Sequence, residues 1–353
     1  MLGQGPDTDY RAALAENRWH DGAAALAAAV REKPGDAGLA RAYVRTLLLL
    51  GDGEGAAAAI DRMLEVQPDL SRSPEWIVFA AEADMLREQE RAALASLEGI
   101  AGADAARVRA LALAQLGRHD EADAELDAAL EQFPADVRLN SDKALRLTAD
   151  GNFAAAGALV DRALKSDASS LDAGLAKARL DEAMGNLGAA QGRLEKLGQT
   201  YPDSKTVTLA RGRVLLAAGK IDDATSIVKS LREAGIDTPE LTLLEAKVAA
   251  RKGKWEDVRS VMQAREREMR DVPEAQLLYA TALQELGLAT MAEAILERVV
   301  DRYPEYHAAR AQLAEFLLAT GQKEKARSII APLRELAELP PPARELIVRV
   351  DAG

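Results

Sequence analysis

Three histidines, several carboxylate pairs and a recurring set of basic side chains are what this 353-residue chain offers for chemistry. His20, His119 and His307 lie far apart, and none has a second histidine four residues away, the spacing that sets two imidazoles on one helix face for a metal. Glu121 and Glu125 do share that i, i+4 spacing, and paired carboxylates can divide acid and base work. Such work needs an enclosure that drives their pKa values apart, and an open helical surface supplies none. Gly51-Asp52-Gly53-Glu54-Gly55 is glycine-rich but has no lysine after it and no strand before it, so it is not a phosphate loop. There is no cysteine, which removes disulfides, thiolate metal sites and cysteine nucleophiles together. No catalytic residue, cofactor or metal is expected.

The elements that would carry these residues are set by a repeat. A helix-stopping residue recurs at Asn17, Gly51, Glu88, Gly117, Gly151, Gly185, Gly219, Gly253, Gly287 and Gly321, at intervals of 34, 37 and 29 residues and then 34 six times. The 37 and 29 sum to 66, close to two periods, so only the unit around Glu88 is irregular. Seven residues before each turn stands a mostly small residue, from Val44 and Ala81 through Gly212 to Ala314. Five after it stands another, from Gly22 and Ala56 through Val258 to Ala326. Small residues on both sides let two helices of one hairpin pack closely. Four residues further on is a large apolar residue, from Leu26 and Ile60 to Ile330, which sets the buried stripe of the second helix. A proline or an equivalent breaker closes most units, the prolines being Pro34, Pro68, Pro134, Pro202 and Pro304. Thr238-Pro239 and Asp271-Val272-Pro273 each place a capping residue ahead of a proline in a first helical turn. About twenty helices and no strands are expected, in an array over residues 1–338 whose register is disturbed near 69–102. Residues 339–353, with Pro340-Pro341-Pro342, break the array as a cap or a tail.

These positions resemble the tetratricopeptide repeat (TPR) family of bacterial type. Residues 114–122 (Ala-Gln-Leu-Gly-Arg-His-Asp-Glu-Ala) and 217–224 (Ala-Ala-Gly-Lys-Ile-Asp-Asp-Ala) carry its turn and second-helix signature, and the likeness runs over roughly residues 9–338. The chain departs from the family pattern where first-helix aromatics are replaced by Leu47, Leu147 and Leu215, or by Asp84, Asp181 and Ala249. Arg265 stands at a usually small or apolar second-helix position, and the first unit has a shortened first helix. The resemblance implies an all-α, right-handed solenoid of about ten 34-residue helix–turn–helix units. Their first helices would line a concave groove that holds peptides or partner proteins without catalysis.

In that family two positions one turn apart on each first helix face the groove. Here the first of them gives Arg41, Val78, Arg107, Ser141, Leu175, Leu209, Leu243, Leu277 and Ala311. The second gives Arg45, Glu82, Leu111, Leu145, Arg179, Arg213, Lys247, Thr281 and Glu315. The candidate groove residues are Leu175, Leu209, Leu243 and Leu277 as an apolar rail, Arg179, Arg213 and Lys247 as a basic one, and Arg41 and Arg45 at the other end. Such rails suit an extended segment that alternates apolar and acidic groups; the bland alternative is that each cation pairs with a neighbouring glutamate. Lys143, Lys177 and Arg211 recur at a normally apolar position, with heads expected at the groove rim. The family's carboxylate clamp for chaperone C-termini is not matched by any three units. Trp19, Phe153 and Trp255 are expected to pack their hairpins, and Trp76 is a candidate rim contact. Asp120, Glu121, Asp123, Glu125, Asp127 and Glu131 would make an acidic, solvated outer face.

Composition narrows the function. A net charge of −12 argues against nucleic acid as the main partner, because phosphate affinity comes from Lys and Arg. No run approaches the roughly 18 apolar residues of a membrane helix. Met1-Leu2-Gly3-Gln4-Gly5-Pro6-Asp7 lacks the basic and apolar regions of a signal peptide and reads as a start placed after a removed leader. A non-catalytic scaffold for a protein or extended peptide is therefore expected. Its style of repeat is similar to those of cell-envelope assemblies such as exopolysaccharide export or pilus assembly. If a leader was removed the periplasm or envelope is favoured, and otherwise the cytoplasm. A cytoplasmic regulatory peptide-binding module is the alternative, and an all-helical enzyme the remote one.

Overall fold

The computed structural model describes residues 6–304, 306–335 and 341–352. Met1–Gly5 and Pro340, on which the expectations of a removed leader and of a proline break partly rest, lie outside the described residues. The described chain is an all-α solenoid of helical hairpins with no strand among the described residues. It divides into two compact units, residues 1–218 and 219–353.

Unit 1 contains six hairpins and a further helix. They are α1 (Pro6–Ala15) with α2 (Trp19–Glu32), α3 (Ala37–Leu49) with α4 (Gly53–Val66), and α5 (Pro74–Leu86) with α6 (Glu90–Ser96). Then follow α7 (Ala103–Gln115) with α8 (His119–Gln132), α9 (Val137–Ala149) with α10 (Phe153–Ser166), α11 (Leu171–Ala183) with α12 (Leu187–Thr200), and α13 (Lys205–Ala217). Unit 2 opens with α14 (Ile221–Glu233) and continues with α15 (Pro239–Arg251), α16 (Trp255–Ala264) and the short α17 (Glu266–Met269). Its last elements are α18 (Pro273–Glu285) with α19 (Ala289–Arg302), α20 (His307–Ala319) with α21 (Lys323–Ile330), and α22 (Pro341–Ala352).

All ten turn residues named from the spacing have positive φ, from 55° at Asn17 to 79° at Gly185. This is the left-handed conformation that ends a helix, and it suits glycine because no Cβ opposes it. Every small position and every large apolar position of the repeat is buried, so each hairpin closes on a small–small contact and is anchored by one aliphatic side chain. Burying such an anchor contributes about 1.5–3 kcal/mol.

Several first helices begin on side-chain caps that satisfy otherwise unpaired backbone N–H groups, whereas α5, α7 and α20 do not. Asp36 accepts from Gly38 and Leu39 N–H, Asp136 from Leu139, Ser170 from Ala173 and Thr238 from Leu241. The second expected cap is different. Val272 is the capping position of α18 and makes no side-chain cap bond. Asp271 instead receives the Tyr303 hydroxyl on its backbone oxygen and pairs with Arg302, because it lies one residue too early to reach the helix's first N–H groups.

Two irregularities follow the sequence. The hairpin around Glu88 has a second helix of only seven residues, preceded by a 3-10 turn at Pro68–Arg72. In unit 2, Arg265 interrupts a second helix between α16 and α17, pairing with Asp237 and with Glu268 at 2.9 Å. The last helix, α22, inserts Leu346 and Val350 into the apolar core that also holds Leu313, Leu317, Ile330 and Leu333.

Candidate functional site

Unit 1 contains an open concavity of about 900 Å³. Its wall comes from the groove positions of the first helices: Arg45 on α3, Val78 and Glu82 on α5, Arg107 and Leu111 on α7. Arg138 at the start of α9 and Asp172 at the start of α11 continue it. The cavity is bordered where the first hairpin meets the turn after α12. The Trp19 and Tyr201 rings lie 6.0 Å apart, and the His20 backbone N–H donates to Asp203 Oδ2 at 2.9 Å. Tyr201 is fixed from below, its hydroxyl donating to Ser169 O at 2.5 Å.

An ion network runs along this wall. Glu82 receives Arg107 at 3.3 Å and Arg138 at 2.9 Å. Arg138 also reaches Asp104 at 3.1 Å and Asp172 at 3.7 Å. Arg107 Nε approaches Asp142 Oδ2 to 2.8 Å, off the line a hydrogen bond needs, so this is a charge contact only. Burial pushes the Asp142 carboxyl up, with Asp172 adding to the effect and Arg107 and Arg138 opposing it. Burial works against the Arg138 charge, but Glu82, Asp172 and Asp104 outweigh it and raise its pKa. Asp104, Arg138 and Asp172 are spaced by 34 residues, the period of the repeat. That acid–base–acid ladder is legible in the sequence once one position is compared across neighbouring units, and the groove positions alone miss it.

The residues singled out from sequence fall as follows. Arg41 and Arg45 both bind Glu75 of the next hairpin, at 2.8 and 3.1 Å, and Arg45 lies over the Phe79 ring. Arg179 and Arg213 converge on Glu182, at 3.1 and 2.9 Å, and Leu175 and Leu209 are half-buried. In unit 2, Lys247 meets Glu274 at 2.6 Å, Leu243 is half-buried and Leu277 is part of the core. Each cation of the basic rail thus has a carboxylate partner within the protein.

Three expectations change. Trp76 is not a rim contact: it is buried with Val44, Ile60 and Met63 and meets Phe79 edge-on at 5.9 Å, because its place in the unit, twelve residues before the turn, is the buried one that Leu39, Leu139 and Leu241 also hold. The Lys143 head does not go to the groove rim; it lies 3.0 Å from Asp123 and 2.9 Å from Asp127 on α8. The acidic face of α8 is accordingly not simply solvated. Asp123 also accepts from Arg146, Glu125 from Arg109 and Glu121 from Arg118. The Arg146 hydrogen bonds, helped by Lys143 against partial burial, hold the Asp123 carboxyl at about 2. The described residues contain no group of three or more metal-ligating side chains, and no described helix is long and apolar enough to cross a membrane.

Comparison with known proteins agrees with the architecture. Two family models, each described as tetratricopeptide repeat, match residues 13–77 and 283–347 and residues 107–170 and 175–239, which together make up most of the chain. No curated protein matches the sequence. Among solved structures, the chain is similar to a tetratricopeptide repeat protein from Parabacteroides merdae, at 16% identity and a TM-score of 0.50, over 68% of this chain and 96% of that one. It is also similar to yeast Tom70, at 13% identity and a TM-score of 0.48, over 97% and 93% of the two chains. A third is YrrB, titled a TPR protein with an unusual peptide-binding site, at 14% identity and a TM-score of 0.38, over 55% and 98%. At 16% identity, the likeness to the Parabacteroides merdae protein is one of fold. With the repeat period, the positive-φ turns and the family models in agreement, this chain belongs to the tetratricopeptide repeat family.

Proposed function

We propose that this chain is a non-catalytic scaffold that holds an extended segment of a partner protein on the first-helix faces of its hairpins. The observation that carries the reading is the unit 1 cavity, where groove positions of successive first helices share one wall. Two leucines of that wall, Leu49 and Leu86, keep 52% and 45% of their surface exposed. Large apolar side chains left exposed together in a concavity mark binding surfaces more often than isolated ones do. The candidate groove residues Leu175, Arg179, Leu209 and Arg213 would extend this surface within unit 1. Leu243, Lys247 and Leu277 would form a counterpart within unit 2. Their cations are already engaged by Glu182 and Glu274, so they would shape the surface more than supply free charge.

A photocrosslinking amino acid placed in turn at Leu111, Leu209 and Leu243, and at the outward Asp161 and Glu195, tests the reading in cells. The first three positions should trap a common partner and the last two should not. Equal trapping from both faces, or none from the first three, would defeat it. The reading extends to a cell-envelope assembly, which a lipobox or small-residue cleavage site upstream in the full gene would support.

A further inference from the structure

The wall of the unit 1 cavity is uneven in charge. Its three cations, Arg45, Arg107 and Arg138, each already meet carboxylates of the protein. Its lining carboxylates outnumber them: Glu75, Glu82, Asp104, Asp167 and Asp172. Behind the lining Asp142 stands at Arg107 and Arg41 at Glu75, one charge of each sign, so the surplus is unchanged. Asp104 and Asp172 keep 62% and 41% of their side-chain surface exposed, while Leu49 and Leu86 offer exposed apolar surface on the same cavity.

An acidic segment entering here would find no unengaged guanidinium and would add negative charge to a surplus. Within a concavity of lowered dielectric, that repulsion is stronger than on an open face. A segment bearing a cation finds Asp104 and Asp172, which share Arg138 between them and stay exposed, and its apolar neighbours find exposed leucines. The sign is the reverse of what Arg41 and Arg45 suggest in the sequence, because Glu75 of the next hairpin binds both.

Resting on the scaffold reading above, we propose that the unit 1 cavity accepts an extended segment of a partner protein that presents a lysine or arginine between apolar residues. The cation faces Asp104 and Asp172, and the apolar side chains lie on Leu49 and Leu86.

A random short-peptide library displayed on phage and panned on the full chain tests this, with two variant chains for comparison. Asp104→Asn/Asp172→Asn removes the exposed charge. Leu111→Lys keeps those carboxylates and places a competing cation in the cavity. Circular dichroism establishes that each variant is folded, and either one alone suffices for the test. Peptides that bind the parent chain and are lost on the variants should carry Lys or Arg at one or two fixed positions. Synthetic copies should lose affinity by about tenfold or more on the double Asn variant, and similarly when that Lys or Arg becomes Gln. Cavity-dependent peptides that are acidic or uncharged would overturn the proposal and leave the scaffold reading standing, as would basic peptides that bind the variants equally well. A selection that enriches no peptide at all would overturn the scaffold reading, and this proposal with it.

Discussion

The third and sixth hairpins of unit 1 meet the same packing requirement with second helices of different length. In the sixth, α12 runs fourteen residues past the Gly185 turn, burying Ala190 and Leu194, and ends at Tyr201, whose hydroxyl ties it to the preceding turn. In the third, α6 runs only seven residues past Glu88, yet Ala93 and Leu97 occupy the same buried places. What is missing is the outer turn. Its place is taken by a loop through Gly99 and Gly102 and by a side chain from the next hairpin. Arg109 on α7 donates to the Leu97 and Ile100 carbonyls, at 3.3 and 2.6 Å, and to Glu125 at 2.5–2.9 Å. The inner half of a second helix, with its small residue and its anchor, is thus what a hairpin of this type requires. The outer half is dispensable once the carbonyls it would have bonded find another donor.

The largest effect should come from the anchors themselves. Leu97→Ala and Leu194→Ala should each lower stability by about 2–5 kcal/mol, read from urea unfolding by circular dichroism. A cost below about 1 kcal/mol at Leu97 alone would mean the short helix holds its anchor loosely and that the two hairpins are not equivalent. Next is the substitute for the missing turn. Arg109→Ala takes a donor from the Ile100 carbonyl and from Glu125, while the Leu97 carbonyl keeps the Ile100 N–H, and should cost about 2 kcal/mol, with Arg109→Lys recovering only part because an ammonium lacks the fork.

The loop glycines separate the two hairpins further. Gly102 sits at φ 117°, ψ 160°, outside any region open to other residues, so Gly102→Ala should cost about 1–3 kcal/mol. Gly185→Ala, in the left-handed helical region at φ 79°, should cost about 1 kcal/mol. Equal costs would argue that the short hairpin's loop is relaxed. Glu88 offers the opposite sign, because a glutamate there holds φ 58°. Glu88→Gly should raise stability by about 0.5 kcal/mol, the relief of the left-handed strain less glycine's extra entropy. A lowered unfolding midpoint would show that the Glu88 side chain has a role of its own.

The smallest effect is one of pH, in the regular hairpin next door. The Asp123 carboxyl lies at about 2 against an ordinary 3.8, so its contribution is present above 3.8 and fades as pH falls through 2. The melting-temperature deficit of Asp123→Asn should therefore shrink between these values. A deficit unchanged at pH 2 would assign the loss to packing, not to the ion pairs with Arg146 and Lys143.

The backbone plan was legible in the sequence because each turn, small contact and anchor depends on residues within one 34-residue unit. Asn17 and Glu88, which lack glycine's freedom, were found by spacing alone and hold the same left-handed conformation. The charge of the cavity was not legible in the same way. Arg45 looks like a free hook until Glu75 of the next unit is placed beside it, and Arg138 gains its meaning from Asp104 and Asp172 one period to either side. Trp76 was misplaced for a different reason: its place, twelve residues before the turn, is the buried one that Leu39, Leu139 and Leu241 hold in their own units. Position within a unit reads from one repeat, whereas the partner of a charged side chain reads only from two or three.

The contact between Trp19 and Tyr201 bears on how unit 1 comes to be folded. A linear array of hairpins has almost solely local contacts, can grow from any point and can unravel from an end one unit at a time. The ring pair and the His20–Asp203 bond join residues more than 180 positions apart in the chain. Closing a loop of that length costs chain entropy that no neighbouring hairpin repays, so this contact belongs late in folding, after the intervening units have formed. Once made, it denies the first hairpin the freedom to peel away independently. Hydrogen exchange in α2 should then follow the opening of the hairpin before Tyr201 instead of the faster fraying of an ordinary terminus.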